Sequence, residues 1–413
     1  MTLRSAYASK IEDGEQGQVM ILNYYNDLVF APSELFLNKD FGQVATVLGA
    51  IHDRPVEHVI ACNRPNVHLK AFNGAQVVQA EKNLKFLPRS LDFLKNIRVY
   101  THILKQRRRY TAMVLFPFWP PSDYIAVAIF RFLNPNAKII LKLDANVDNV
   151  RRLDVSCRNA RHNVLRQHFY YRKLLETADA VIYETRAVGQ LLHQSRLLIG
   201  AHRKKLVNVY NGISRQQALR YETRHVPNEY RDNIIIFSGR LSSAQKNVEL
   251  IFQADPVPPG WKIRFIGAVD QAFRAVIDRY KRQDPQFEEK YEFIGEVTDK
   301  KEYFAEFSKG RILILSSAWE GFPMIFAEAH HFGLYIITTD VSGAAEATDE
   351  GRLGRIVPRN DPHALREAVR ETCANPDLPR MVSAARPYGQ RYFVWEDSLN
   401  LPILNQLFAP NHE

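Results

Sequence analysis

Cysteine is scarce. Cys62, Cys157 and Cys373 are the only three in 413 residues, and no two stand in a Cys-x-x-Cys spacing. So sparse and odd a set argues against a disulfide framework and a structural zinc, and it fits a reducing compartment. Long apolar runs are missing as well: no stretch approaches the ~18–20 apolar residues of a membrane-spanning helix. Residues 1–16 are polar and charged, without the apolar segment of a secretion signal. These absences predict a soluble body in the cytoplasm. No internal repeat and no low-complexity tract interrupts the chain, which excludes solenoids and linker-like polymers.

What is present is ordinary globular material, 46% hydrophobic and 24% charged. The chain is longer than one hydrophobic core usually supports, so two domains of roughly 200 residues are expected. The net charge of +10 is unevenly spread: residues 1–206 hold 30 Lys and Arg against 17 Asp and Glu, and the remainder holds 25 against 28. Lys105, Arg107, Arg108, Arg109, Arg151, Arg152, Arg203, Lys204 and Lys205 belong to this basic half. Such asymmetry points to an anionic lipid surface, a phosphate-bearing acceptor or nucleic acid, or else to a solvated basic face with no partner. Aromatic and basic residues interleave at Tyr170, Tyr171, Arg172 and Lys173. No nucleic-acid-binding module accompanies them, so no nucleic-acid partner is expected.

Short β-branched runs alternate with longer amphipathic segments, the pattern of an α/β protein with parallel sheets. Strands are predicted at 19–22, 58–61, 113–116, 138–143 and 180–183, then at 234–237, 263–266, 291–294, 312–315 and 335–338. Helical periodicity runs over about 90–109 and 163–175. Gly239, Gly267 and Gly295 stand at or just past strand ends, where open α/β sheets turn and bind ligands. The join between the halves is expected in the polar stretch 210–232. The predicted divisions are a basic domain over 1–206, a second over 207–392, and a tail over 393–413 that packs back towards the first.

The stretch 312–329 concentrates the chemistry. A strand ends at Leu315, a loop carries Glu320 and Gly321, and Pro323 suits the first position of a helix that Gly333 ends. Backbone N–H groups near 321–324, at the positive end of that helix, make a ready site for phosphate or hydroxyl oxygens. Glu320 before the helix and Glu328 within it can grip two parts of one extended ligand.

Two glutamates with seven residues between them, the first followed by Gly321, Phe322 and Pro323, resemble the signature of retaining glycosyltransferases of family 4. The resemblance takes in Asn208–Ile213, Phe237–Leu241 with Lys246 and Asn247, Phe293–Val297 and Gly354–Pro358. It is close over about residues 177–375 and loose over the first 140. It implies the GT-B fold, two Rossmann-like domains facing each other across a donor/acceptor cleft.

It also implies roles. Glu320 takes hydroxyls of the transferred sugar, Glu328 takes the ribose hydroxyls, and Arg240 and Lys246 neutralise the donor diphosphate. Charge-assisted bonds make a carboxylate a good polyol clamp, and fixed cations stabilise the charge that develops on a departing diphosphate. Gly239 and the backbones of Gly321, Phe322, Pro323 and Met324 line sugar and phosphate, and Val297 faces the base. Asp144 ends the strand after which many members place a histidine. It is a candidate for a sugar hydroxyl or for orienting the acceptor, with a helix cap or loop pair as the other reading.

No Asp-x-Asp occurs anywhere, in keeping with neutralisation by Arg240 and Lys246 and with no metal or organic cofactor. The implied reaction moves a sugar, with retention, from a nucleoside-diphosphate sugar to an acceptor. The basic first half suggests peripheral binding to the inner face of an anionic membrane, where a glycan or polyprenyl-diphosphate-linked acceptor is expected. A nucleotide-sugar epimerase and a non-catalytic sugar-nucleotide or glycan-binding protein are the alternatives.

Overall fold

The structure is a computed structural model that describes residues 20–26, 32–82, 94–107, 109–117, 120–152, 162–198, 200–220 and 231–409. Residues 1–16, Val19, residues 90–93, Arg108, Cys157 and residues 221–230 of the expected join lie outside the described residues. The chain divides into two compact units, one of residues 1–184, 188–209 and 398–413, the other of residues 185–187 and 210–397. The boundary expected at 206/207 falls at 209/210, and residues 185–187, not expected there, join the second unit. Of the tail expected over 393–413 to pack back towards the first domain, the part from residue 398 onward belongs to the first unit.

In the first unit, eight strands form one sheet: β1 (Met20–Asn26), β2 (Val56–Cys62), β3 (Ala71–Phe72), β4 (Ala75–Glu81), β5 (Tyr110–Leu115), β6 (Lys138–Lys142), β7 (Ala180–Tyr183) and β8 (Leu206–Asn208). Their order is β3-β4-β2-β1-β5-β6-β7-β8. The pairs are parallel except the short β3–β4 hairpin. Strands β1 and β2 are buried along their whole length and carry the polar residues Asn23, Asn26, Glu57 and His58 into the interior. The predicted helix over 90–109 is described as Ile97–Lys105: Val99 and Ile103 enter the core, and Ile97 and Leu104, one heptad apart, stay exposed.

The second unit holds β9 (Ile234–Ser238), β10 (Lys262–Ile266), β11 (Tyr291–Gly295), β12 (Ile312–Leu315), β13 (Tyr335–Thr339) and β14 (Gly354–Val357). They are all parallel, in the order β11-β10-β9-β12-β13-β14. Counted from its first strand this is 3-2-1-4-5-6, the doubly wound arrangement, and its direction reverses between β9 and β12. Two apolar clusters fill the two faces, one around Phe237, Phe252 and Phe265, the other around Ile236, Phe307 and Phe326. The central strands β9, β12 and β13 are buried throughout, as a sheet covered on both faces requires.

Candidate active site

In a doubly wound sheet a crevice opens at the carboxyl ends of the strands where the order reverses. Here those ends are Ser238 on β9 and Leu315 on β12, and the loops that follow carry Gly239, Arg240, Lys246, Glu320 and Gly321. Gly239 donates its N–H to Ile266 O at 3.0 Å, and Gly267 donates to Gly295 O at 2.8 Å, so the three glycines step across adjacent strand ends. A Cβ on Gly267 would stand 1.9 Å from Gly239 O, a close approach that only glycine permits.

The two loops are bonded together. Ala318 N donates to Gln245 O at 2.7 Å, and Ser316 Oγ donates to Lys246 O at 2.8 Å. Lys246 Nζ lies 2.6 Å from Glu320 Oε1, which also accepts from Ser317 Oγ at 3.0 Å. Gln245 Nε2 donates to the other oxygen of Glu320 at 2.9 Å, and Gln245 Oε1 accepts from the exposed Arg240 at 3.2 Å. Thus Glu320, Lys246 and Arg240 come together, with Gln245 as the link. Arg359 adds a third cation by donating to Ala318 O at 3.3 Å.

The helix Met324–Phe332 starts one residue later than expected. Pro323 is its N-cap, with φ −64° and ψ 136°, and Pro323 O accepts from Phe326 N at 3.0 Å. A proline ring is content at this φ, and its extended ψ keeps it outside the first turn. Gly333 ends the helix in the left-handed conformation, φ 68°, as expected. Phe322 is different from its neighbours: its ring is buried against Tyr210, Phe326 and Phe393, and its carbonyl accepts from Asn211 Nδ2 at 2.7 Å. Its side chain is core, so only its N–H belongs to the candidate site. Gly321, Pro323 and Met324 are partly exposed.

Glu328 sits on the buried side of that helix. Lys300 Nζ lies 2.9 Å from its Oε1, and Tyr303 Oη donates to Oε2 at 2.8 Å. Tyr303 Oη is also 3.1 Å from Ser238 Oγ, so this group reaches the end of β9 beside Gly239. Burial, and then the charge of Glu328, push the Tyr303 phenol well above its ordinary pKa, which keeps it a donor. Val297 is half-buried and packs against the cluster that contains Phe304.

Asp144 belongs to the first unit, exposed in the loop after β6. The cap of the following turn is Asn146, whose Oδ1 accepts from Asn149 N at 2.8 Å. Nearby, the buried Lys142 ammonium pairs with Glu184 and stands 3.9 Å from Asp40. Burial raises the Asp40 carboxyl to about 6, Lys142 opposes the rise, and the charge of Asp144 adds to it.

Sequence reasoning missed Gln245, Ser317, Lys300, Tyr303 and Arg359. Ser317 lies within the stretch 312–329 and Gln245 and Arg359 border residues already flagged, whereas Lys300 and Tyr303 have no distinctive spacing from Glu328. Among the described residues no group of three or more His, Cys, Asp or Glu is placed to hold a metal ion, and no helix is long and apolar enough to cross a membrane.

Comparison with known proteins gives a consistent picture. The family described as group 1 glycosyl transferases matches residues 232–375, the portion that holds the switch-point loops. A D-inositol 3-phosphate glycosyltransferase of Streptomyces coelicolor is 33% identical over 93 residues, covering 22% of this chain and 20% of that protein. An uncharacterised 41.2 kDa protein of the cps region of Klebsiella pneumoniae is 26% identical over 174 residues, 41% of this chain and 46% of that one. The chain thus spans less than half the length of these curated relatives. Sucrose-phosphate synthase of Thermosynechococcus elongatus superposes with a TM-score of 0.66 at 17% identity over 93% of this chain and 97% of its own. Anabaena Alr3699/HepE in complex with UDP and glucose does so with a TM-score of 0.65 at 16% identity, over 94% and 98%. At these identities the likeness establishes the fold: two parallel-sheet α/β domains of the GT-B type.

Proposed function

We propose that the protein is a retaining glycosyltransferase of family 4 that binds a nucleoside-diphosphate sugar at the β9/β12 switch point and transfers the sugar to a glycan or lipid-linked acceptor. The observation that carries this reading is the convergence of Arg240, Lys246 and Glu320 on one pair of bonded loops, with Glu328 joined through Tyr303 to the end of β9. A diphosphate needs fixed cations, and sugar and ribose hydroxyls need carboxylate acceptors. The first N–H groups of the helix Met324–Phe332 lack intrahelical partners and offer an oxyanion cradle beside them. The match to group 1 glycosyl transferases and the UDP complex of a structural neighbour support the same reading.

In this mechanism Glu320 orients the sugar through its hydroxyls, and Arg240 and Lys246 take up the charge that grows on the diphosphate oxygen as the glycosidic bond breaks. That same oxygen accepts the proton of the incoming acceptor hydroxyl on the face it leaves, which preserves the anomeric configuration. No metal is assigned a part. Asp144, on the first unit, orients the acceptor. The basic first half holds the enzyme on an anionic membrane surface.

A thermal-shift panel of nucleotide sugars tests the donor site, since a ligand of the folded state raises Tm by mass action. The true donor is expected to raise it, and Glu320→Gln is expected to blunt the shift for the sugar nucleotide more than for the bare nucleotide. No shift with any nucleotide sugar would overturn the proposal. Turnover of the donor to an altered sugar nucleotide without any acceptor would show an epimerase instead.

A further inference from the structure

Glu328 is only 6% exposed, yet both of its carboxylate oxygens are occupied by donors that come from one short element. Lys300 and Tyr303 stand three residues apart on the helix Lys300–Lys309 and so share a face. That helix is fixed at its start by Asp299, whose Oδ1 accepts from Lys301 N at 2.7 Å and Glu302 N at 3.1 Å. The Lys300 ammonium lies over the Tyr303 and Phe304 rings, 4.5 and 4.8 Å from their centroids. Cation–π attraction and the ion pair therefore hold it in one place. Tyr303 in turn is tied to Ser238, the residue before Gly239, so the carboxylate is positioned relative to the strand whose following loop carries Arg240 and Lys246.

An ionised carboxylate offers about four lone-pair sites, and each oxygen here spends one. One acceptor site remains on each oxygen, a spacing that suits two neighbouring hydroxyls. Without Lys300 and Tyr303 the carboxylate could turn about its last torsion, which is soft. It could then reach a single hydroxyl as well as a pair.

We propose that Lys300 and Tyr303 are positioning residues that lock the Glu328 carboxylate for a ribose diol and thereby make the site select ribonucleotides over 2′-deoxyribonucleotides. The proposal rests on the donor-site reading above. It assigns Lys300 and Tyr303 no contact with the nucleotide itself, which separates their role from that of Glu328.

The test is calorimetric binding of UDP, ADP, GDP and CDP and of their 2′-deoxy forms to wild type, Lys300→Met, Lys300→Arg and Tyr303→Phe. Wild type should bind one ribonucleoside diphosphate about ten- to a hundredfold tighter than its 2′-deoxy form, the range of one charge-assisted bond. Lys300→Met and Tyr303→Phe should each shrink that ratio to within about threefold while changing 2′-deoxy affinity little. Lys300→Arg should restore it. Equal weakening of both nucleotides, or an unchanged ratio, would refute the positioning role and leave the donor site standing. A wild type that binds a ribonucleotide and its 2′-deoxy form alike would also refute it. Failure of wild type to bind any nucleoside diphosphate would remove the donor site as well. If Lys300→Met does not fold, Tyr303→Phe, which loses one hydroxyl from an otherwise intact ring, answers the same question.

Discussion

Lys246 has two duties that mutation can separate. Its ammonium neutralises Glu320, which is 8% exposed and would otherwise be a nearly buried charge with only Ser317 and Gln245 as donors. In the proposed reaction it also faces the donor diphosphate. Lys246→Met is therefore expected to lower Tm and to weaken nucleoside diphosphate binding by about tenfold or more, with nucleoside binding little changed; calorimetry on both ligands checks this. Arg240 is exposed, so Arg240→Ala should leave Tm within experimental scatter and weaken only the diphosphate. Glu320 was legible in the sequence because a strand, a loop and a helix start flank it, and Arg240 and Lys246 were picked out through the resemblance to family 4. Lys300 and Tyr303 were not, because nothing in Lys300–Lys309 says that this helix docks its first turn against Glu328. That contact is made by packing, between residues 25 and 28 positions apart.

Strands and turns carry their own expectations. The close approach of Gly267 to Gly239 O leaves no room for a methyl group, so Gly267→Ala must push the β9 loop that carries Arg240. A destabilisation of about 1–3 kcal/mol is expected, the usual cost of an overpacked buried site, measured by denaturant unfolding. Strand pairing in the first unit makes a pH-dependent prediction. His58 on β2 faces Asn23 on β1, whose Nδ2 is 2.8 Å from His58 Nδ1, and burial lowers the His58 pKa to about 4. The folded state keeps this imidazole neutral while the unfolded chain protonates it near 6.5. Its contribution to stability is present above pH 6.5 and is lost as the pH falls towards 4, amounting to about 3 kcal/mol at the lower limit. His58→Gln should flatten the fall in unfolding free energy over that window. The strands that sequence missed, β3, β4, β8 and β14, explain themselves physically. β4 breaks its apolar residues with Gln76 and Gln79 out of alternation near a sheet edge, β3 and β8 have only two and three residues, and β14 carries exposed Arg355 and Ile356. Fully buried strands such as β12, apolar throughout, and β9, apolar up to its last residue Ser238, were plain.

At the scale of the molecule, the two-domain α/β architecture was legible because alternating strand and helix patterns admit little else. The chain's four crossings between units were not all legible, since no local pattern marks residues 185–187. The basic excess of residues 1–206 bears on partners at this scale. Sedimentation with vesicles should rise steeply with the fraction of anionic lipid and fall with added salt, as each Lys or Arg near such a surface adds about 1 kcal/mol. Binding indifferent to lipid charge would leave the basic half without a membrane role.

Residues 398–409 have a last implication. Leu399 and Leu404 are buried in the first unit, and the Phe408 ring stacks on His52 at 4.2 Å. Leu407 and Phe408 also wall a cavity of about 640 Å³ with Arg54, Tyr110 and Lys138, at the amino ends of the strands. On the ribosome this segment is made only after the whole second unit. The first unit must therefore wait, unsealed at that end, through the synthesis of nearly two hundred residues. A nascent chain stalled before residue 398 should be cut by protease near His52 and Arg54, and the finished protein should resist.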